Sequence, residues 1–316
     1  MPSMSSLLGS IARLPVLCTF RQTVFFSSIT TLFDKYLVSS RKIARDKLKG
    51  RGFPSNISTT ASGFDLKDLQ LLKVNFQPTP FKNDILPNVD VSDFPEEYIL
   101  PNISKKELLD TSFNVESFKE ISDHQVQAFL TDLHEVIKDL HSNEGMEGSE
   151  TDTLVYNLLF QIVGLHRYPL KIRLYIASEC YMIAKPEFVI NRKNISMIVI
   201  EGKHIKNKNL IPSKGYGEAR LAAEILACAN ENMLHTAHQT DVILDQIIFA
   251  VRVVSTYFTF YKAIIPSGYW NELGYGLLKK ESIIIKRWPE DMRPASGLVI
   301  VEPSGRQNVL KAFFKI

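Results

Sequence analysis

The chain has 316 residues, a formal net charge of +3 and a hydrophobic content of 45%, which is the size and make-up of one large soluble-type domain or of a domain with appendages. No run of about 18 apolar residues is present, which argues against a membrane-spanning helix. Cys18, Cys180 and Cys228 are odd in number and far apart, which speaks against a disulfide framework or structural zinc and fits a reducing compartment.

The first 60 residues hold nine Lys/Arg and two Asp, a net of +7, so the rest of the chain is net negative. Nothing acidic precedes Asp34, and Arg13 and Arg21 sit among Ser, Thr, Leu and Phe. This is the composition of a mitochondrial presequence, with a nuclear or cytoplasmic protein carrying a basic arm as the other expectation. Residues 61–103 are rich in Pro, Ser, Asn and Asp and read as an extended linker or wrapping segment. Over 122–140, Val126, Phe129, Leu130, Leu133, Val136, Ile137 and Leu140 recur at helical spacing behind Ser122 as the expected cap. The helical extension is expected over 104–147, and an α/β domain over 148–316.

That domain opens with a second amphipathic helix from Ser149, carrying Leu154, Val155, Leu158, Leu159, Ile162 and Val163 on its apolar face. Three strands are expected next, in "LKIRLYIAS", "EFVI" and "ISMIVI", with "NRKN" as the turn between the last two. "GYGEARLAAEILACANENM" returns to helical spacing, and "QIIFAVRVVSTYFTFYKAII" is too β-branched and aromatic for anything but one long strand or two. "SIIIKRW" and "GLVIVEP" supply further strands, giving an α/β architecture around a mixed sheet.

Within this order an acid follows a proline in "KPEFVI" and an acid-x-lysine triplet closes the third strand in "IVIEGKHI". The arrangement resembles the PD-(D/E)XK nuclease superfamily, over roughly residues 149–265. The resemblance implies a restriction-endonuclease-like αβββαβ core, with Glu187 and Glu201 as ligands of Mg²⁺ or Mn²⁺ and the Gly202 carbonyl as a further ligand. It implies Lys203 as the catalytic ammonium, and an acid of the first helix, Glu150 ahead of Asp152, as an added ligand. It also implies a nucleic-acid substrate and, since many such enzymes pair to cut two strands, a homodimer.

Elementary geometry is consistent with that set. Residues i and i+2 of a strand share a face, so Glu201 and Lys203 go together. A hairpin turning at Arg192 and Lys193 brings residue 187 opposite about 199 or 200. Arg192 and Lys193, with Lys206, Lys208 and Lys214 downstream, form a cationic cluster of the kind that meets a phosphate backbone.

Each residue also has a plain structural explanation. Acid-x-lysine triplets arise by chance on the order of once or twice in a chain of this length, and Asp65–Leu66–Lys67 is a second one. Glu187 departs from the family's commoner Asp by one methylene and can be a solvated strand-edge acid. Glu150 and Asp152 lie in a first helical turn, where the helix dipole favours acids anyway. Lys203 can be a flanking charge, and the cations a solvated loop. Glu218, on the following helix, is given no role, and His235 and His238 are expected at the surface beyond a helix end. Two functional classes follow: a Mg²⁺-dependent nuclease, or a catalytically inactive module of the same fold that binds nucleic acid or a protein partner.

Overall fold

The computed structural model describes residues 46–316 except 92–93, 111, 120, 142–148, 165–171, 177–178, 193–194, 204–211 and 241. At 141, 149, 172–176, 179–181, 191–192, 195–203, 213–214 and 238–239 it describes the backbone alone. In chain order the named elements are α1 (Leu66–Leu71), β1 (Val74–Pro78), α2 (Lys105–Leu108), α3 (His124–His141) and α4 (Ser149–Tyr156), which runs on as a π-helical turn over Asn157–Ile162. Then come β2 (Ile172–Ile176), β3 (Glu179–Ala184), β4 (Phe188–Arg192), β5 (Ile195–Lys203) and α5 (Glu218–Thr240). The chain ends with β6 (Gln246–Val254), β7 (Tyr257–Ile265), α6 (Ser267–Tyr275), β8 (Ile283–Trp288), β9 (Leu298–Val299) and α7 (Pro303–Lys315).

Seven strands form one open, mixed sheet in the order β1-β8-β7-β6-β5-β4, with β9 paired to β7. The β1/β8 and β5/β6 pairs are parallel and the rest antiparallel. The α/β architecture with a mixed sheet is thus present. The three-strand meander expected before α5 is not: β3 is an additional strand, and it pairs with β2 in a separate two-stranded sheet. That hairpin buries Met182 and Ala184 in the same core as α5.

Period-two burial explains the layering. From β6, β7 and β8, one face buries Ile248, Ala250, Tyr261, Ala263, Ile283 and Ile285 against α1, α5 and α6. The opposite face buries Phe249, Val251, Val253, Phe258 and Phe260 against α3, α4 and α7. α5 is the most enclosed helix, with Leu221 to Asn230 buried without a break, because β5 and β6 lie on one side of it and the β2–β3 hairpin on the other.

Three expectations are corrected. The stretch 61–103 is no linker: β1 adds a parallel strand to the sheet edge, and Leu72, Ile85, Tyr98 and Ile103 are buried. The basic arm ends earlier than residue 60, since Leu48, Phe53 and Ile57 are core residues; residues 1–45 lie outside the described ones. The cap of α3 is Asp123, whose Oδ1 accepts from the backbone N–H groups of Gln125 (2.7 Å) and Val126 (3.4 Å), rather than Ser122.

Candidate active site at the end of the mixed sheet

β5 carries the acid-x-lysine triplet at its C-terminal end, in parallel register with the end of β6: Glu201 beside Arg252, Gly202 beside Val253 and Lys203 beside Val254. In the β4–β5 hairpin, Phe188 pairs with Ile200. Glu187 stands one residue before β4, so continuing that register carries its backbone to position 201, one residue further than the turn alone suggested. Positions 187, 201 and 203 therefore arrive at the same end of adjacent strands.

Glu187 is half-buried and lines an open groove of about 550 Å³ together with Asp152, Thr153, Tyr156, Lys185, Pro186 and Phe188. Of the two helix acids, Asp152 is the one on this groove; Glu150 is half-buried on the same helix and is not among the described residues lining it. Tyr156 is 40% exposed. Its ring is braced by Phe160 at 4.9 Å, and Phe160 in turn meets Phe188 at 6.0 Å. The groove thus has an aromatic wall, two carboxylates and a lysine, of which sequence reasoning had singled out only the carboxylates.

Alternation along β4 would give 187 the same phase as its register partner 201, but Glu187 sits at a bend before the strand and lines the α4-side groove instead. Position 201 shares its phase with Arg252, a residue that reaches toward the loop preceding α5, whereas the groove containing Glu187 lies against α4. The side chains of Glu201 and Lys203 lie outside the described ones, as do those of Arg192 and Lys214; Lys193, Lys206 and Lys208 are not among the described residues at all. Among the described residues no three or more His, Cys, Asp or Glu side chains gather where they could hold a metal ion.

A buried polar cluster that the sequence reading left without a role lies on the α5 side. Glu218, the first residue of α5, is 4% exposed. Its Oε1 accepts from Arg287 Nη1 at 2.6 Å and from Tyr261 Oη at 3.1 Å. Burial pushes the Tyr261 hydroxyl far above the ordinary tyrosine range, so it stays a donor to Glu218. Arg287 further donates to the Glu290 carbonyl through Nε (3.0 Å) and Nη2 (2.6 Å). Arg252, 1% exposed, donates from Nη1 to the Tyr216 carbonyl and from Nη2 to the Met292 carbonyl, each at 3.0 Å. Two arginines thus pin the loops before α5 and after β8 to the strands that end at the candidate site. Gly215, Tyr216 and Gly217 all have positive φ, at 58°, 50° and 92°, and the Arg252 bond holds the middle, non-glycine one in place. The signal for this cluster was available in "FAVRVVS" and "IIIKRW", where an arginine interrupts an otherwise apolar strand.

The other chemistry-bearing candidates resolve into structure. Asp65 of the second triplet caps α1, accepting from Lys67 N and Asp68 N, while Asp68 bonds back to Asp65 N. α5 runs through both His235 and His238 rather than ending before them. No family model and no curated protein matches the chain.

Proposed function

We propose that the chain is a Mg²⁺- or Mn²⁺-dependent nuclease-like protein that hydrolyses phosphodiester bonds of DNA or RNA, built on a restriction-endonuclease-like core. The observation that supports this reading is the β4–β5 register, which delivers the backbones of 187 and 201 to one sheet end with 203 two residues further along. The donor set is Glu187, Glu201, the Gly202 carbonyl and an acid of α4, all hard oxygens, and this fits a small divalent cation. Such a cation, when bound, polarises a phosphate oxygen and lowers the pKa of a water. Lys203 places a positive charge where negative charge develops on the phosphate. Lys185 and the cations flanking the hairpin meet the nucleic-acid backbone, and the exposed Tyr156 ring offers a face on which a base can lie.

A second reading is favoured by the pleat phase of position 201: a nuclease-fold module without activity, binding nucleic acid or a protein through the same groove. If the acid-x-lysine positions belong to the α5 side while Glu187 serves the α4 side, the carboxylates do not share one cation.

The discriminating experiment uses the full chain on single- and double-stranded DNA and RNA with Mg²⁺, Mn²⁺ or EDTA, alongside Glu201→Ala and Lys203→Ala. Cutting that needs metal and drops by at least about 100-fold in each variant supports the enzyme. Absence of cutting under every condition, with unchanged nucleic-acid binding in both variants, supports the module.

A further inference from the structure

Among the described residues, no helix covers the α3, α4 and α7 face of the sheet at the opposite end from the candidate site. Ile247 of β6, Ile264 of β7 and Ile284 of β8 stand side by side in register across three strands, and each is 48% exposed. Val242 and Leu244, in the segment entering β6, are 51% and 57% exposed. The row extends to Asn75 on β1, also exposed. One row further along the strands, Lys262 and Lys286 are only half-covered. β6, β7 and β8 pair antiparallel, and such a sheet can turn one face to water, but a solvated face ordinarily alternates to polar residues, whereas this one presents three isoleucines in register.

We propose that this end of the sheet is a self-association surface, covered in solution by the same surface of a second copy of the chain. The apolar area fits that occupant. Five side chains, each about half exposed, leave on the order of 400 Å², the size of the largest apolar patch on a typical monomer, which is often functional. It is also close to the apolar part of one partner's share of a standard interface, about 800 Å² that is somewhat over half non-polar. The rim suits a self-complementary contact because it carries both signs. Lys286 lies 3.7 Å from Asp84, and Asp245, whose carboxylate accepts from Ser267 N at 2.7 Å and is held below the usual range by that bond, stands beside the patch.

The fold also fixes how two copies meet. Face-to-face packing of identical patches requires a two-fold axis lying in the interface. With that axis along the strands, the α3, α4 and α7 layers of the two copies would collide, since they stand on the same face higher up. With the axis across the strands, each bare end packs on the other and the helical layers lie beyond it. The candidate sites then sit at the two outer ends. From Ile247 to Val254 β6 alone covers about 23 Å, so the sites are held apart instead of facing one duplex, unlike the paired cutting that the sequence resemblance suggested.

Sedimentation of the full chain at about 10 µM, where a standard-size interface is populated, tests this. The expected result is a dimer, with Ile264→Lys and the milder Ile247→Thr each raising the dissociation constant by at least about tenfold and leaving the circular dichroism spectrum and nucleic-acid binding per protomer unchanged. Tyr275→Ala, at an 88% exposed position on α6, should leave the dimer intact. A monomeric parent, or a dimer indifferent to both isoleucine changes, overturns the proposal. Because these positions lie away from the groove, loss of nuclease activity in the parent leaves the association result fully readable.

Discussion

Arg306 offers the sharpest test of how the chain's two ends are joined. Its side chain is fully buried, and its hydrogen bonds among the described residues go to backbone carbonyls. Nε donates to the Ile99 carbonyl at 2.7 Å, Nη1 to Val301 at 2.8 Å and more weakly to Ile300 at 3.4 Å, and Nη2 to Leu100 at 2.9 Å and to Ile103. Burial lowers its pKa to about 10 and the nearby Glu302 charge opposes that shift, so the guanidinium stays charged, with carbonyl oxygens accepting its hydrogen bonds. Replacing it by methionine keeps the aliphatic stem, takes the Arg306 donors from the carbonyls of Ile99 and Ile103, and leaves Leu100 with its bond from Ile103 N at 3.0 Å. Hydrogen bonds to a charged donor contribute about 1.5–3 kcal/mol each, and four good ones would sum to roughly 6–12 kcal/mol if they were additive. They are not additive, and the desolvation of the guanidinium is recovered when it is removed. The expected loss for Arg306→Met is therefore about 4 kcal/mol, read as a lower urea midpoint at unchanged slope, or a melting temperature about 8–15 °C lower. Arg306→Lys retains the charge but not the planar fork, and should recover less than half of that loss. A methionine variant within about 1 kcal/mol of the parent would refute the claim that this one side chain fastens 99–103 to the C-terminal helix.

Three further outcomes are expected. In a double-mutant cycle on Glu218 and Arg287, each single change to Gln and Met should cost about 3 kcal/mol and the pair distinctly less than their sum, because the second change removes the charge the first left unpaired; strict additivity in denaturant titrations would deny the coupling. Asp132 of α3 accepts from Asn157 of the π-helical turn at 2.5 Å, yet burial raises its pKa. Its folded-state pKa thus lies above the unfolded one, the folded protein holds the extra proton between the two, and stability rises as pH falls through that window. Asp132→Asn should accordingly be more stable than the parent at pH 7, with the gap closing toward pH 4; a gap independent of pH would contradict this. Gly305, near the start of α7, has no room for a side chain: a Cβ there would lie 1.8 Å from the Val299 carbonyl oxygen. Gly305→Ala should cost more than about 3 kcal/mol or shift α7 bodily, visible as a lost or broadened thermal transition.

Periodicity in the sequence made the regular elements legible and left the irregular ones dark. α3, α5 and the β6–β7 hairpin are long enough for apolar spacing to declare them. The two arginines at 252 and 287 were passed over because an arginine inside a strand looks like a break in the pattern until the carboxylate and carbonyls it meets are known. The segment 61–103 misled for a different reason. Ile85, Leu86, Tyr98, Leu100 and Ile103 are buried in ones and twos without a helical or strand period over the segment, and part of its polar backbone is satisfied by residues about 200 positions away, which no local reading can see. β3 was missed because "ECYMIA" opens with polar residues and its partner is β2 rather than the main sheet. At the candidate site, the order of acid, strand and triplet was readable from spacing, and so was the adjacency of 187 to 201 to within a residue. Which face each position serves was not, because the bend at Pro186 and Glu187 interrupts the alternation on which that inference depends.

The pairing of β1 with β8 has a consequence for synthesis. Val74 to Pro78 have one strand partner, Ile283 to Arg287, and the same N-terminal region leans on the C-terminal third elsewhere: Tyr269 donates to the Leu72 carbonyl at 2.9 Å, and Arg306 holds 99–103. A ribosome adding about 5–20 residues per second therefore leaves β1 for roughly 10–40 s without its strand partner, although α3, which packs on 98–108, is made much sooner. Bringing ends some 200 residues apart together carries an entropic cost of roughly 5 kcal/mol, which must be met late, when β6 and β7 already stand as a template. The nascent chain is thus obliged to keep its first third soluble while it waits, and a prematurely terminated product would never acquire the edge of its own sheet.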